Sequence, residues 1–273
     1  FEVPLKPFLN LKLFPEFEVN PAVVTSMDSK DSLRIIPRNY LVNQLSDEVL
    51  EITNLTGIHS LHEEIIYPYS SPKLAKLQDG RLLALWIKDD GTKSDNNRTS
   101  LYFSIYENEV WSEPKTVYES GRADFAPQIA VDGNNVHIVW QRATQIFGDT
   151  YEIDTVLENM ELAYSKFESD NFLEPIIVTE NTGKYQMDYS IASEDGTTII
   201  SWCENSENDY TFESGMNNLY SRILEDDVWS AINIVKLDVG NIDDLESGFL
   251  DGVPQIAYSV EVSEGNETSY ELV

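Results

Sequence analysis

The dipeptide Asp-Gly recurs at Asp79, Asp132, Asp195 and Asp251, spaced 53, 63 and 56 residues apart, each time between alternating apolar runs. It is the strongest short-range hairpin signal, because a tight primed turn needs positive φ at its centre. A period of this size, carried on strand-like patterning, points to propeller blades and away from leucine-rich or ankyrin arrays. The sequence therefore predicts an all-β chain, a β-propeller or part of one, built from four-stranded antiparallel blades.

Within each period the same features return. The second strand ends on an aromatic residue, Trp86, Trp140, Trp202 or Tyr258. Third strands read LYFSIY, LAYSKF and LYSRIL, with Ser104, Ser165 and Ser221 at matching positions. Short acidic turns lead to Trp111, Phe172 and Trp229, and fourth strands follow as PKTVYE, PIIVTE and INIVKL. This reading gives blades at 71–120, 126–181 and 185–240, and an incomplete one at 241–273. Residues 1–70 are less regular. The run Asn10 to Val19 alternates but carries Pro15, which confines it to a sheet edge or breaks it. NYLVNQL and VLEITN read as a hairpin about Ser46-Asp47-Glu48. This segment either leads in from a preceding domain or completes a blade, and the sequence leaves both open. An opening FEVPLKPF without initiator methionine reads as a piece of something longer, so further domains of the same polypeptide are expected.

Charge and cysteine content narrow the partners. Asp plus Glu number 48 against 18 Lys plus Arg, a formal net charge of −30. Such a surface repels nucleic acid and anionic lipid, so neither nucleic-acid binding nor membrane insertion is expected. The acidity serves either solubility or the binding of a cation or basic partner. Cys203 is the one cysteine, which excludes an intrachain disulfide and a cysteine-based zinc site. It follows Trp202 within a strand and reads as structural and buried. His59, His62 and His137 have no supporting ligands for zinc. The loop from Asp89 to Asn97 has oxygens that suit calcium but not the spacing of a calcium loop, and reads as a solvated acidic loop. No cofactor is expected beyond that one candidate for calcium. Asn54, Asn97 and Asn266 each head an Asn-x-Thr sequon, a chance-prone pointer to secretion.

The two ends of the blades differ. First-to-second and third-to-fourth turns are tight, whereas the second-to-third connections at Lys88 to Ser100, Gln141 to Glu161 and Glu204 to Asn218 are long. Loops longer than closure requires are usually functional or disordered. The candidate binding residues are therefore those at the long-loop end. Lys88, Arg142 and Glu204 lie two residues beyond each blade tryptophan. Arg122 and Asp124, Tyr185 and Asp188, and Asp243 and Asp244 lie in the connections before the second, third and fourth blades. Each also reads as an ordinary solvated loop residue. Catalysis would need a nucleophile-and-acid pair such as Tyr185 with Asp188 or Glu204, while binding needs only aromatic and polar contacts.

The succession of Asp-Gly, a strand ending in Trp, a Tyr-Ser strand and Trp-Ser-Glu-Pro at Trp111 to Pro114 resembles the blades of sialidase-like propellers in secreted bacterial proteins. The resemblance covers about residues 71–273. It implies an extracellular or cell-surface binding module for a carbohydrate or protein ligand. The alternatives are a sialidase-like glycoside hydrolase or lyase, and a structural spacer in a large surface protein. The sialidase box Ser-x-Asp-x-Gly-x-x-Trp is absent, and the nearest string to the family's Arg-Ile-Pro is Arg34-Ile35-Ile36-Pro37, with one extra residue. No catalytic residue is therefore carried over. Guanidinium forks suit carboxylates, and a cation near the axis stands out in so acidic a chain, so Arg122 and Arg142 are the expected contacts for a carboxylate-bearing sugar.

Overall fold

The computed structural model describes residues 40–44, 50–54, 72–148, 153–179, 183–208, 216–264 and 267–273. The strand reading of Asn10 to Val19, the Arg34 string, His59, His62 and the sequon at Asn266 lie outside them. The chain divides into two units, Phe1–Ser60 and Leu61–Val273. In the first, β1 (Tyr40–Gln44) and β2 (Leu50–Asn54) form an antiparallel hairpin with Tyr40 opposite Asn54.

The second unit holds four antiparallel meanders. Blade 1 consists of β3 (Lys73–Lys76), β4 (Leu82–Asp89), β5 (Thr99–Glu107) and an outer strand in two pieces, β6 (Val110–Trp111) and β7 (Lys115–Thr116). Blade 2 consists of β8 (Asp124–Asp132), β9 (Asn135–Ala143), β10 (Met160–Glu168), β11 (Asn171–Phe172) and β12 (Ile176–Ile177). Blade 3 follows as β13 (Gln186–Glu194), β14 (Thr197–Asn205), β15 (Asn217–Glu225), β16 (Val228–Trp229) and β17 (Asn233–Val239). Blade 4 shows β18 (Ile242–Leu250), β19 (Val253–Glu264) and β20 (Glu267–Leu272). The first strands β3, β8, β13 and β18 contact one another in succession, which makes them the inner strands of a β-propeller. Among the described residues the one α-helix is α1 (Ile153–Leu157), inside the long loop of blade 2.

The second strands of blades 2 and 3 are buried on both faces, because their alternate residues serve two interfaces. Val136, Ile138 and Trp140 of β9 join Leu83, Leu85 and Phe103 of blade 1. Val139 of the same strand joins Ile200 and Trp202 of blade 3. Cys203 then packs with Leu245 and Tyr258 of blade 4. Trp86, Trp140 and Trp202 are 4%, 1% and 1% exposed, so the repeated aromatic is a core residue in every case. Burial pushes the Cys203 thiol up to about 12, as befits a structural cysteine.

The four Asp-Gly dipeptides make three kinds of turn. Asp195-Gly196 and Asp251-Gly252 have positive φ at both residues, the primed type I signature. At the second, Asp132 pairs with Asn135, so Gly133 and Asn134 are the central residues and Gly133 alone has positive φ. The first is a three-residue loop closed by Gly80 N–H to Leu77 C=O at 3.0 Å, with Gly80 at φ +92°. These turns also join blades. Asp79 N–H donates to Asn134 Oδ1 at 3.0 Å, and Gly196 N–H donates to Asp132 Oδ2 at 2.7 Å.

The matching serines have a definite task. Ser104 Oγ donates to Ser112 C=O and Ser165 Oγ to Leu173 C=O, each at 2.6 Å. These bonds hold the outer strand where it breaks into two pieces. In blade 3 the register puts Arg222 at this position and Ser221 one residue short of it, so Ser221 does not match the other two serines, and Arg222 Nε makes the equivalent bond, to Ser230 C=O at 2.8 Å.

The third-to-fourth turns place non-glycine residues at positive φ: Asn108 and Glu109, Ser169 and Asp170, Asp226 and Asp227. Asn and Asp tolerate that region, but Glu109 at φ 66° has no such excuse. Glu109→Gly would give the Asn-Gly pair that this turn favours. The substitution is expected to raise stability by about 0.5–1 kcal/mol, read as a higher urea midpoint at unchanged m-value. An unchanged midpoint would show that the turn carries no strain.

Candidate functional site

Six acidic or basic residues are buried among the described ones: Asp90, Asp124, His137, Arg142, Glu161 and Glu204. All but His137 lie at the long-loop end, although acidic residues are spread over the whole surface. His137 is held inside, its Nδ1 2.7 Å from the Tyr164 hydroxyl.

The strand registers explain the concentration. Two residues beyond Trp140, Arg142 pairs with Asp124 on β8 and with Glu161 on β10. Paired residues share one face of a sheet, so Asp124, Arg142 and Glu161 form a row across blade 2, turned toward blade 1 like Trp140. Trp140 Nε1–H donates to Asp124 Oδ1 at 2.8 Å. Arg142 Nη2 donates to Glu161 Oε1 at 3.0 Å, and Nη1 of Arg122 reaches the same oxygen at 3.4 Å. Arg122 Nη1 also donates to Ala143 and Thr144 carbonyls. Lys93, its side chain 4% exposed, donates to the Arg122 carbonyl at 2.8 Å.

Blade 3 repeats the geometry with different chemistry. Gln186 stands where blade 2 has Asp124, Glu204 where it has Arg142, and Asn218 where it has Glu161. Here Trp202 Nε1–H donates to Glu204 Oε1 at 3.1 Å, so the indole keeps a carboxylate partner, supplied now by its own strand and not by the inner one. Gln186 Nε2 reaches the same oxygen at 3.4 Å. Tyr185 donates its hydroxyl to Gln141 Oε1 at 3.4 Å. In blade 1 the register holds Lys88 opposite Ser100, with the Lys88 Nζ 4.8 Å above the Tyr102 ring. In blade 4 it holds Ile242, Val260 and Glu271. The tryptophan level is uniform while the level above it varies, which is the pattern of a scaffold with a specialised rim.

The inner strands are irregular at this level. Register shifts fall between Phe125 and Gln128, between Gln186 and Asp188, and between Ile242 and Asp244. Bulges of this kind re-aim side chains beside functional sites. In β8 the bulge puts Ala126 at φ +45°, and its carbonyl accepts the Tyr189 hydroxyl. Asp188 lies half-buried beside Cys203, Asp244 is exposed, and the side chain of Asp243 falls outside the described ones.

The loop from Asp89 to Asn97 departs from the solvated reading. Arg98 clamps the Asp89 carboxylate with Nε and Nη2 at 2.7 and 2.8 Å. Asp90 accepts from Thr92 and Ser100. Asn97 is fully buried, and its amide both donates to Phe147 C=O at 2.8 Å and accepts Phe147 N–H at 2.9 Å. The loop is polar inside because the neighbouring blade's loop covers it. Among the described residues no group of three or more His, Cys, Asp and Glu side chains converges as a cation site.

Burial raises the Asp124 carboxyl to about 6 despite nearby Lys93 and the Trp140 hydrogen bond, and burial raises Asp188 to about 6 as well. An unfolded aspartate titrates near 3.9, so between about pH 4 and 6 the native state holds protons that the unfolded chain has lost. This contribution to stability is present below that window and is lost as pH rises through about 6. His137 acts in the opposite sense, since burial lowers it to about 4 and its contribution is lost as pH falls below about 6.5. Asp124→Asn keeps an acceptor for Trp140 but removes the titration. Its stability relative to wild type is expected to increase by about 2 kcal/mol between pH 4.5 and 7.5. Paired denaturation curves at the two pH values check this, and a difference that does not change with pH would contradict it.

No protein-family model matches the sequence, and no curated protein does. Solved structures similar to the chain include the sialidase of Trypanosoma rangeli, 12% identical at a TM-score of 0.47, covering 86% of this chain and 39% of that one. An α-L-arabinanase of Penicillium chrysogenum, solved with arabinobiose, is 13% identical at a TM-score of 0.47, covering 74% of this chain and 61% of that one. A thermostable family-43 glycoside hydrolase is 10% identical at a TM-score of 0.40, covering 74% and 70%. The chain thus spans about two fifths of the length of the sialidase it is similar to. The propeller assignment stands on the meander sheets and their inner-strand succession.

Proposed function

We propose that the chain is an extracellular carbohydrate-binding propeller module that takes its ligand at the long-loop end of blades 1 to 3. The observation that carries this is the concentration of buried charge at that one end, in a chain whose other acids are mostly exposed. Binding sites combine apolar walls with a few fixed polar groups, and the row above the tryptophans has that make-up. Arg122 supplies the main ligand contact. Its Nη1 is taken by Ala143, Thr144 and Glu161, while Nε and Nη2 have no partner among the described residues. Those two N–H groups form one side of the guanidinium fork, which fits a carboxylate bidentately. Arg142 stands behind as the charge that holds Glu161, with Lys88, Tyr185, Glu204 and the acids Asp188, Asp243 and Asp244 around the rim. A glycan array that includes uronic acids and sialosides tests the reading. Arg122→Ala is expected to weaken binding of a carboxylate-bearing glycan by at least about tenfold, the worth of a charged hydrogen bond, with the circular dichroism spectrum unchanged. A wild-type protein that binds nothing on the array would refute it.

One observation favours a second reading, a glycoside hydrolase or lyase. Asp124 is a buried acid pushed up to about 6 in the same row as the Glu161 side chain, and a carboxyl raised by burial in a site is a usual basis of general acid chemistry. Turnover of aryl glycosides or polyuronates that disappears in Asp124→Asn would establish it.

A further inference from the structure

The boundary between blades 2 and 3 holds an atom whose needs the protein does not meet. Gln186 is 1% exposed, and its Oε1 is buried without a hydrogen-bond partner. The amide cannot be relieved by rotation, because Nε2 already donates to Lys184 C=O at 2.6 Å and to Glu204 Oε1 at 3.4 Å. A buried carbonyl oxygen left alone costs about 1–3 kcal/mol, and native proteins keep such an atom where water or a ligand brings a donor. The surroundings are also rich in acceptors. Gln141, 4% exposed, donates Nε2 to the Gln186 carbonyl and offers Oε1 to Tyr185. The Glu204 carboxylate lies on the other side of the amide, and half-buried Tyr185 lies at the rim.

We propose that this boundary is a second subsite, which takes a neutral sugar hydroxyl, with Gln186 Oε1 as its acceptor and Tyr185 at its mouth. The inference rests on the carbohydrate reading and assigns a different part of the ligand from that held by Arg122. The blade repeat supports the division. At one register, blade 2 presents Asp124, Arg142 and Glu161, while blade 3 presents two amides around a single acid. The first set suits a charged group, and the second suits hydroxyl donors. A bridging water has the same donor chemistry, so the test must separate the two.

The two tryptophan indoles are built-in reporters, since Trp140 Nε1–H donates to Asp124 and Trp202 Nε1–H to Glu204. The full chain, labelled with nitrogen-15, is titrated with methyl glycosides of glucose, galactose, mannose and N-acetylglucosamine, then with galacturonate and sialate. A neutral glycoside is expected to shift the Trp202 indole and the Gln186 side-chain amide saturably while Trp140 stays in place. Gln186→Met should weaken that binding by about tenfold, the value of one hydrogen bond to a neutral acceptor. The Trp140 response to galacturonate or sialate should survive in the variant. The wild-type titration stands by itself if the variant does not fold. If acidic sugars move Trp140 but no sugar moves Trp202 or Gln186, the subsite holds only water and the proposal is wrong while the carbohydrate reading stands. If no sugar moves either indole, both fall.

Discussion

Replacing Asn97 with alanine is expected to cost about 4 kcal/mol of folding stability, since it strips the partners from two buried main-chain groups at once. The Phe147 N–H and C=O lose their acceptor and donor together, and Phe147 itself is 5% exposed, so water cannot easily replace them. Asn97→Asp should fall between, because a carboxylate still accepts the Phe147 N–H but cannot donate to the carbonyl. Denaturant unfolding of both variants checks the order, and an alanine variant within about 1 kcal/mol of wild type would show that the latch does not hold the loops. The same burial means that the sequon at Asn97 cannot be glycosylated once the chain has folded.

Removing the acid that two arginines share should be of similar size. Glu161→Ala leaves Arg142, 5% exposed, beside Arg122 without the carboxylate that both approach, and breaking such a buried pair typically costs about 3–5 kcal/mol. Most of the cost is the stranded charge. The double variant Arg142→Met with Glu161→Leu is therefore expected to be closer to wild type than Glu161→Ala alone. A double-mutant cycle measures the coupling, and losses that merely add would mean that the row is solvated and independent. Arg122, 25% exposed at its side chain, can stay hydrated in either variant.

The architecture was legible because its signals are local. Asp-Gly turns, the tryptophan seven or eight residues later and the serines of blades 1 and 2 are each read within one hairpin, and each has its physical reason in the structure. The site was legible in part for the same reason. Arg142 and Asp124 stand at countable distances from a tryptophan and a turn. Glu161 was not singled out, because the register across a roughly twenty-residue loop cannot be counted from one side. Lys93 and Asn97 were hidden by a different effect: Lys93 meets Arg122, 29 residues away in the connection to the next blade, and Asn97 meets Phe147, 50 residues away in that blade's loop, while their own surroundings in sequence are polar. Gln186 lay between Tyr185 and Asp188, which attract attention as an aromatic and a charge, and only an unmet acceptor draws the eye to an amide. The turn type at the first two Asp-Gly pairs depended on where strand pairing stopped, which the dipeptide alone does not specify.

The turns that announce the first three blades also fasten them together, and the turn of blade 2 is the acceptor at both joints. The Asp132 carboxylate of one turn receives the Gly196 N–H of the following one, just as the Asn134 amide oxygen receives Asp79 N–H from the blade before. The donors are main-chain N–H groups, which any residue but proline supplies at those turn positions, so only the turn of blade 2 depends on its side chains at both joints. Duplication of the stretch encoding blade 2 would insert a copy whose turn already carries an acceptor for each neighbour. Ancestral change in such a protein therefore runs most easily by whole blades, with the rim residues above the tryptophans free to diverge afterwards.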